Sequence, residues 1–296
     1  MANLKEIKRK IGSVKNTAKT TNAMKLVSSA KLRRTEELAK RSRVYAAKLT
    51  ELLNEIAQKM QQASADGLDN IYFKEVTTPK TVDIVFITAD KGLCGGFNAQ
   101  TIMRVNQLIA EYKAKDVKVR LRAIGRKGID YFKFNNVELN NEIIGLSSAP
   151  DYAQAAEFIG EVSEAYVNGD TDRIIMVHNG YVNMISQEIR EDQVLPVDPS
   201  KLDLSESVST SELEVEPDED DALLDALVKR YVEYSMYYSL IDSLAAEHSA
   251  RMQAMDAATK NAKEMVKTLT VEYNKARQEA ITTELIEIIS GMESMK

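Results

Sequence analysis

A strongly apolar, β-rich run, Val82-Asp-Ile-Val-Phe-Ile-Thr88, leads into the loop Ala89-Asp-Lys-Gly-Leu-Cys-Gly-Gly-Phe-Asn98 and then into an amphipathic stretch. A glycine-rich loop between a strand and a helix is where backbone N–H groups and a helix N-terminus cradle phosphates. The spacing here serves neither nucleotide fingerprint. A phosphate loop needs Gly-x-x-x-x-Gly-Lys-[Ser/Thr], and no Lys-[Ser/Thr] pair follows these glycines. A dinucleotide loop needs Gly-x-Gly-x-x-Gly, whereas the glycines fall at 92, 95 and 96. Gly92, Cys94 and Gly95 are therefore expected to make a tight turn that lets the loop approach another surface.

Metal and nucleophile chemistry finds little support. His178 lies in an apolar strand pattern and His248 at a helix seam position, 70 residues apart, with no Cys or acid cluster at ligand spacing. Cys94 is the one cysteine, which rules out an internal disulfide and predicts a structural thiol in a reducing compartment. The acids from Asp218 to Asp221, with Asp225, lack the glycine of a calcium loop and read as the acidic start of a helix. No catalytic residue, metal ligand or cofactor site is expected.

At 296 residues, with 28% charged residues, the chain is long enough for one or two soluble domains. No run of eighteen apolar residues is present, so no transmembrane helix is expected. The first residues carry Glu6 and no apolar signal segment, which predicts a chain made and kept in a cytoplasm. The net charge of -6 conceals a segregation: residues 1–48 hold fourteen Lys/Arg against three acids, and residues 201–225 hold ten acids against Lys201. Either a solvated basic face or one that meets acidic partners or nucleic acid fits that pattern.

The elements that must position these residues follow from periodicity and breakers. A first helix is expected from an N-cap at Asn3 to Asp66-Gly67, with a linker over 68–80. Strand, loop and a helix over 98–114 come next, then a strand at 117–124, a short helix through Phe132 and a short strand near Val137–Glu138. Asp151 should cap a helix to about Val167. Arg173–His178 and Tyr181–Glu191 read as strands joined around Asn179-Gly180, a strong hairpin signal. This alternation predicts a small Rossmann-like α/β domain, mostly parallel with an antiparallel edge. An acidic connection over 196–221 precedes a helix of roughly seventy residues, whose first part, Leu223 to Leu244, is apolar enough to pack on that domain. The expected division is 1–67 for the first helix, 68–200 for the insert, 201–221 for the linker and 222–296 for the last helix.

Both terminal helices keep an apolar repeat near 3.5 residues. At the front it runs Leu4, Ile7, Ile11, Val14, Ala18, Thr21, Lys25, Ser28, Leu32, Ala39, Ala46, Leu49, Leu53, Ile56 and Met60. At the back it runs Ile241, Ala245, His248, Met252, Met255, Thr259, Ala262, Val266, Leu269, Tyr273, Ala276 and Ala280. That spacing predicts an antiparallel, left-handed coiled coil of the two termini, with the α/β domain inserted between them. Thr21, Lys25 and Ser28 stand where Leu or Ile would normally pack, opposite slim or pliable residues. Such a seam suits either a weak coiled coil whose register is set by polar positions, or a thin rod enclosed by other subunits.

Three motifs resemble one family. Lys10-Ile-Gly-Ser-Val-Lys-Asn-Thr-Ala-Lys-Thr-Thr-Asn-Ala-Met-Lys25, continuing through Ala30-Lys-Leu-Arg-Arg34, is similar to the front-helix signature of F-type ATP synthase gamma subunits of bacterial type. Asp90-Lys-Gly-Leu-Cys-Gly-Gly-Phe-Asn98 resembles the family's Gly-Leu-Cys-Gly loop, with Lys91 where Arg is commoner. The segments from Glu247 to Ala262 and from Tyr273 to Ile289 resemble its back-helix signature. The cysteine-bearing insert of photosynthetic relatives is missing, so thiol control is not expected.

The resemblance implies a central shaft, one copy per complex, inside a hexamer of three alpha and three beta subunits. Its foot would be fixed to the epsilon subunit and the c-ring, on the cytoplasmic side of the cell membrane and peripheral to it. It would couple proton flow to the catalytic cycle without catalysing or binding ATP itself. Carried over residue by residue, Met24 and Lys25 match shaft positions facing the acidic levers of beta, and Arg251 lies in the facing motif. Arg277, Gln278 and Thr282 match the positions gripped by the hexamer's catch loops. Ile281, Leu285, Ile288 and Ile289 match the hydrophobic bearing. Two other classes compete: a coiled-coil scaffold whose basic arm binds nucleic acid, and a small nucleotide-using enzyme. The first wants aromatics among the basic residues, and residues 1–44 have none. The second meets the broken glycine spacing.

Overall fold

A computed structural model describes residues 4–63, 71–74, 76–197 and 220–293. The expected cap Asn3, the helix end at Asp66-Gly67, nearly all of the acidic connection and residues 294–296 lie outside the described residues, as do the side chains of Ile56 and Met60. The described chain runs α1 (Leu4–Ala63), β1 (Thr81–Ile87), α2 (Phe97–Lys113), β2 (Lys118–Ile124), α3 (Arg126–Phe134), β3 (Asn141–Ile143), α4 (Tyr152–Val167), β4 (Arg173–Tyr181), β5 (Gln187–Leu195) and α5 (Asp220–Glu293). It forms two compact units, one within Met1–Ser29 and Arg251–Lys296, the other within Ala30–Ala250.

In the larger unit the strands order β3-β2-β1-β4-β5, parallel except for β5, the antiparallel edge. Alternation along β1 explains the two layers. Val82, Ile84 and Phe86 face α2 and α3 with Leu121, Phe132 and Val177. Val85 and Ile87 face α4 and α5 with Ile159, Val162 and Met176. Both faces are covered, so β1 reads as a continuous apolar run. Its one charge, Asp83, is fully buried and held by Arg120 and Arg122 of β2, with Arg122 Nε 3.1 Å from Oδ1. A buried carboxylate of this kind survives only when paired.

The apolar stripe of α5, Leu224, Val228, Val232, Met236 and Leu240, completes the second layer, as the sequence predicts. Asp151 caps α4, its side chain accepting from the Gln154 N–H at 3.0 Å. In this unit α1 meets α5 through Tyr45 and Tyr234, ring centroids 4.4 Å apart, and through Tyr234 Oη donating to the Ser42 carbonyl at 3.1 Å.

Two elements differ from expectation. The third strand is Asn141–Ile143, four residues beyond Val137. Asn136 takes a positive φ of 54°, and the Val137 N–H closes back on the Phe132 carbonyl, so Val137 belongs to the turn that ends α3. The hairpin turn is not at Asn179-Gly180: β4 runs on to Tyr181, and the chain reverses over Val182–Ser186. There Asn183 Oδ1 accepts from the N–H groups of Ile185 and Ser186, an Asx turn. Asn179 is fully buried with its amide on the Phe97 carbonyl at 3.0 Å, so its polar side chain serves packing between elements.

Leu240 is fully buried at the junction of α5 and the sheet. Leu240→Ala is expected to lower unfolding free energy by about 2–5 kcal/mol, through lost transfer energy plus a cavity. Urea denaturation of the whole chain checks this, and a loss under about 1 kcal/mol would contradict the packing described.

Candidate functional site

A parallel sheet of this order binds nucleotides, when it does, outside the carboxyl ends of the strands where the order reverses, here between β1 and β4. That crevice is filled by the chain itself. Ala246 and Ala250 of α5 pack there against Ala89, Cys94 and Phe97, with Tyr181 alongside. The small side chains of α5 bring its backbone onto the loop. Within the loop Gly95 takes φ 59° and Leu93 φ 63°, the left-handed region that glycine occupies without strain. Asn98 Oδ1 accepts from the Ala89 N–H at 2.9 Å, and Asn98 Nδ2 donates to Cys94 Sγ at 3.3 Å. Gly92, Cys94 and Gly95 lie in this turn, and Cys94, whose thiol is buried, is the one of them that packs against α5.

Asp90 plays the part an anionic ligand would take at the same edge. Its carboxylate accepts from the Arg126 N–H at the start of α3 (3.0 Å), the Gly145 N–H (3.2 Å) and Ser148 Oγ (2.6 Å). Partial burial opposes ionisation, but the bonds from Ser148, Arg126 and Gly145 outweigh it and hold this carboxyl below its ordinary range. One aspartate thereby ties together the loops after β1, β2 and β3.

In the smaller unit the two termini pair antiparallel. Thr21 Oγ1 and Thr259 Oγ1 lie 2.7 Å apart, and Lys25 Nζ lies 2.6 Å from Asp256 Oδ1. Along α5 the buried or half-buried positions are Met252, Met255, Thr259, Ala262, Val266, Leu269, Tyr273, Ala276 and Ala280, among others near the start, so the predicted seam is the observed one. Its hydroxyls are satisfied locally, Thr259 donating to the Met255 carbonyl at 2.7 Å. Lys25 and Lys260 flank Asp256 and draw its carboxyl down to about 2. Thr21 opposite Thr259 and Lys25 opposite Asp256 set a register in which Leu4 meets α5 near residue 276. The last seventeen described residues of α5, 277–293, reach past that point by about 25 Å.

The predicted contact residues fall into two groups. Arg277, Gln278, Ile281, Thr282, Leu285, Ile288 and Ile289 are all exposed on that extension, with Ile288 60% and Ile289 59% accessible. Met24 and Lys25 are half-buried, Lys25 already holding Asp256, and Arg251 is buried. Leu26 and Val27 beside them are 62% and 56% exposed, apolar side chains that the pair of helices leaves uncovered. Sequence reading passed over Asp90, Asp256 and Leu26-Val27. An acid facing Lys25 across a seam is invisible until the register is known, whereas two exposed apolar residues off the seam frame are a signal present in the sequence.

Long terminal helices and a doubly wound sheet between them in sequence make up a fold shared with solved chains of ATP synthases. A chain of the Tetrahymena thermophila mitochondrial ATP synthase central stalk and c-ring superposes with a TM-score of 0.60 at 26% identity, over 81% of this chain and 99% of that one. A chain of the Euglena gracilis mitochondrial ATP synthase, at 19% identity, shares the fold with a TM-score of 0.67 over 99% and 94% of the two chains. The ATP synthase family model matches residues 3–295. ATP synthase gamma chains of Sulfurovum sp. and Nitratiruptor sp. are 82% and 60% identical, each over all of both chains. The chain belongs to the ATP synthase gamma-chain family.

The depressed Asp256 carboxyl sets a pH dependence. A carboxylate lowered in the folded state contributes stability that is present above the unfolded value near 4 and is lost as pH falls toward about 2. Terminal-helix pairing, followed by circular dichroism melts of the full chain, should weaken across that window and less so at high salt. Asp256→Asn should flatten the response. An acid profile identical in wild type and variant would remove this ion pair from the account.

Proposed function

We propose that this chain is the central rotor shaft of an F-type ATP synthase. It couples proton flow through the membrane c-ring to the conformational cycling of the catalytic beta subunits, and in reverse couples ATP hydrolysis to proton pumping. The observation that carries the reading is the smaller unit: paired helices with a slim polar seam, leaving basic and apolar side chains uncovered over their length. Such a pair buries too little apolar surface to stand alone and is completed by subunits around it.

In this reading residues 1–67 and 222–296 form the shaft, 68–200 the inserted domain and 201–221 its linker. One copy sits inside an alpha–beta hexamer. Its foot meets the epsilon subunit and the c-ring on the cytoplasmic face, and the membrane is reached only through that ring. No described helix is long and apolar enough to cross a membrane. The chain carries torque and no catalytic residue: chemistry belongs to beta. Charge attraction along the basic front helix tolerates turning because it needs no single register. Lys25, braced by Asp256, and Met24 meet the levers of beta, and the buried Arg251 belongs to the facing motif of the back helix. Arg277, Gln278 and Thr282 engage the catch loops, and Ile281, Leu285, Ile288 and Ile289 run in the apolar bearing.

Arg277→Ala combined with Gln278→Ala should lower coupled synthesis by roughly tenfold, equivalent to about 1.4 kcal/mol at the turning interface, while the purified chain keeps its helix content. Proton pumping and synthesis by complexes reconstituted into vesicles read this out. Unchanged rates would take both residues out of the mechanism. Isothermal calorimetry of the isolated chain with ATP should give no binding heat, since Ala246 and Ala250 occupy the crevice. Saturable micromolar binding would favour a nucleotide-using enzyme instead.

A further inference from the structure

Asp242 is a charged residue within the apolar stretch of α5, and its side chain is 2% exposed. Three donors from the last two strands converge on it. Arg190 Nη1 lies 2.8 Å and His178 Nε2 3.2 Å from Oδ2, while the Tyr181 N–H lies 3.3 Å from Oδ1. His178 and Arg190 are direct cross-strand partners on β4 and β5. Arg190 reaches the carboxylate by lying against Gly180, where any Cβ would collide with its Nε. Glu188 Oε1 accepts from the same Nε at 3.1 Å and steadies the guanidinium from the outer side. His178 Nδ1 is buried without a hydrogen-bond partner.

Stability alone does not account for this arrangement. Burying a carboxylate is costly even when it is paired, and an apolar residue at 242 would extend the stripe of Leu240 and Ile241. What a buried charge adds is direction. Apolar side chains leave a helix some freedom to roll on a sheet, whereas three donors fixed in two strands admit one azimuth. The same hairpin holds α5 again seven residues on, Gln187 Nε2 donating to Ser249 Oγ at 2.7 Å and Ser249 Oγ to the Met184 carbonyl at 3.0 Å. Two turns separate the grips, about 10 Å along one face.

We propose that Asp242, with Arg190, His178 and the clearance at Gly180, is the rivet through which torque passes between the β4–β5 hairpin and α5. It is a positioning residue: it fixes the roll of the helix against the sheet, so that a twist applied to the α/β domain leaves along the helix. This inference rests on the rotor-shaft reading above.

The test uses the complete complex with its hexamer fixed, catalytic sites locked by nucleotide, and a bead on a cysteine replacing Phe134, which is 86% exposed. Angular variance of the bead measures torsional compliance. Asp242→Ala is expected to widen the variance at least about twofold, with unlocked ATP hydrolysis held within about twofold. Asp242→Asn, which keeps an acceptor for Tyr181, should widen it less, and Gly180→Ala, which displaces Arg190, should reproduce the effect. Val232→Ala removes buried apolar volume from the same helix with no polar bond, and should leave the variance unchanged. Wild-type variance in Asp242→Ala, or equal widening in Val232→Ala, overturns the proposal. Should Asp242→Ala fail to assemble, Asp242→Asn and Gly180→Ala decide, and wild-type variance in both overturns it. If the wild-type bead does not turn on ATP, the shaft reading itself fails.

Discussion

The apolar stripe of α5 from Leu224 to Leu240, buried against β4, β5 and α4, is the contact on which the remaining structure depends. It makes one continuous helix serve two purposes. Below Ala250 the helix is a wall of a doubly wound core; beyond Arg251 it belongs to a slim pair with the front helix. No glycine or proline lies between Pro217 and Gly291, which suits a long helix.

The crevice explains why a nucleotide-type topology is put to mechanical use here. Sheet order and strand polarity place the crevice of such folds between β1 and β4. Ala246 and Ala250 fill it, Asn98 satisfies the loop, and Asp90 takes the anion's place at the start of α3. The groups at this edge act as internal fasteners, and the loop presents Cys94 and Phe97 to the helix.

The terminal seam was legible in the sequence almost residue by residue, because a 3.5-residue repeat has one structural meaning over such lengths. The parallel sheet and its antiparallel edge were legible too, since apolar runs alternating with amphipathic stretches leave few topologies. The misplaced hairpin turn and third strand failed for a shared reason. Asn179-Gly180 and Val137 carry strong local signals that tertiary contacts override: the glycine makes room for Arg190, and Val137 closes a helix end. Ion pairs were the least legible. Asp83 with Arg120 and Arg122, Asp256 with Lys25, and Asp242 with Arg190 each join residues far apart in sequence. Asp83 and Asp242 stand out, as lone acids in the apolar runs Val82-Asp-Ile-Val-Phe-Ile87 and Ser239-Leu-Ile-Asp-Ser-Leu244.

The most direct measurement of the central claim is single-molecule rotation: a probe fixed to this chain, watched while the complex assembled with it hydrolyses ATP. Stepwise unidirectional turning, stopping when hydrolysis is inhibited, is the predicted result. Full hydrolysis around a stationary probe would contradict the account.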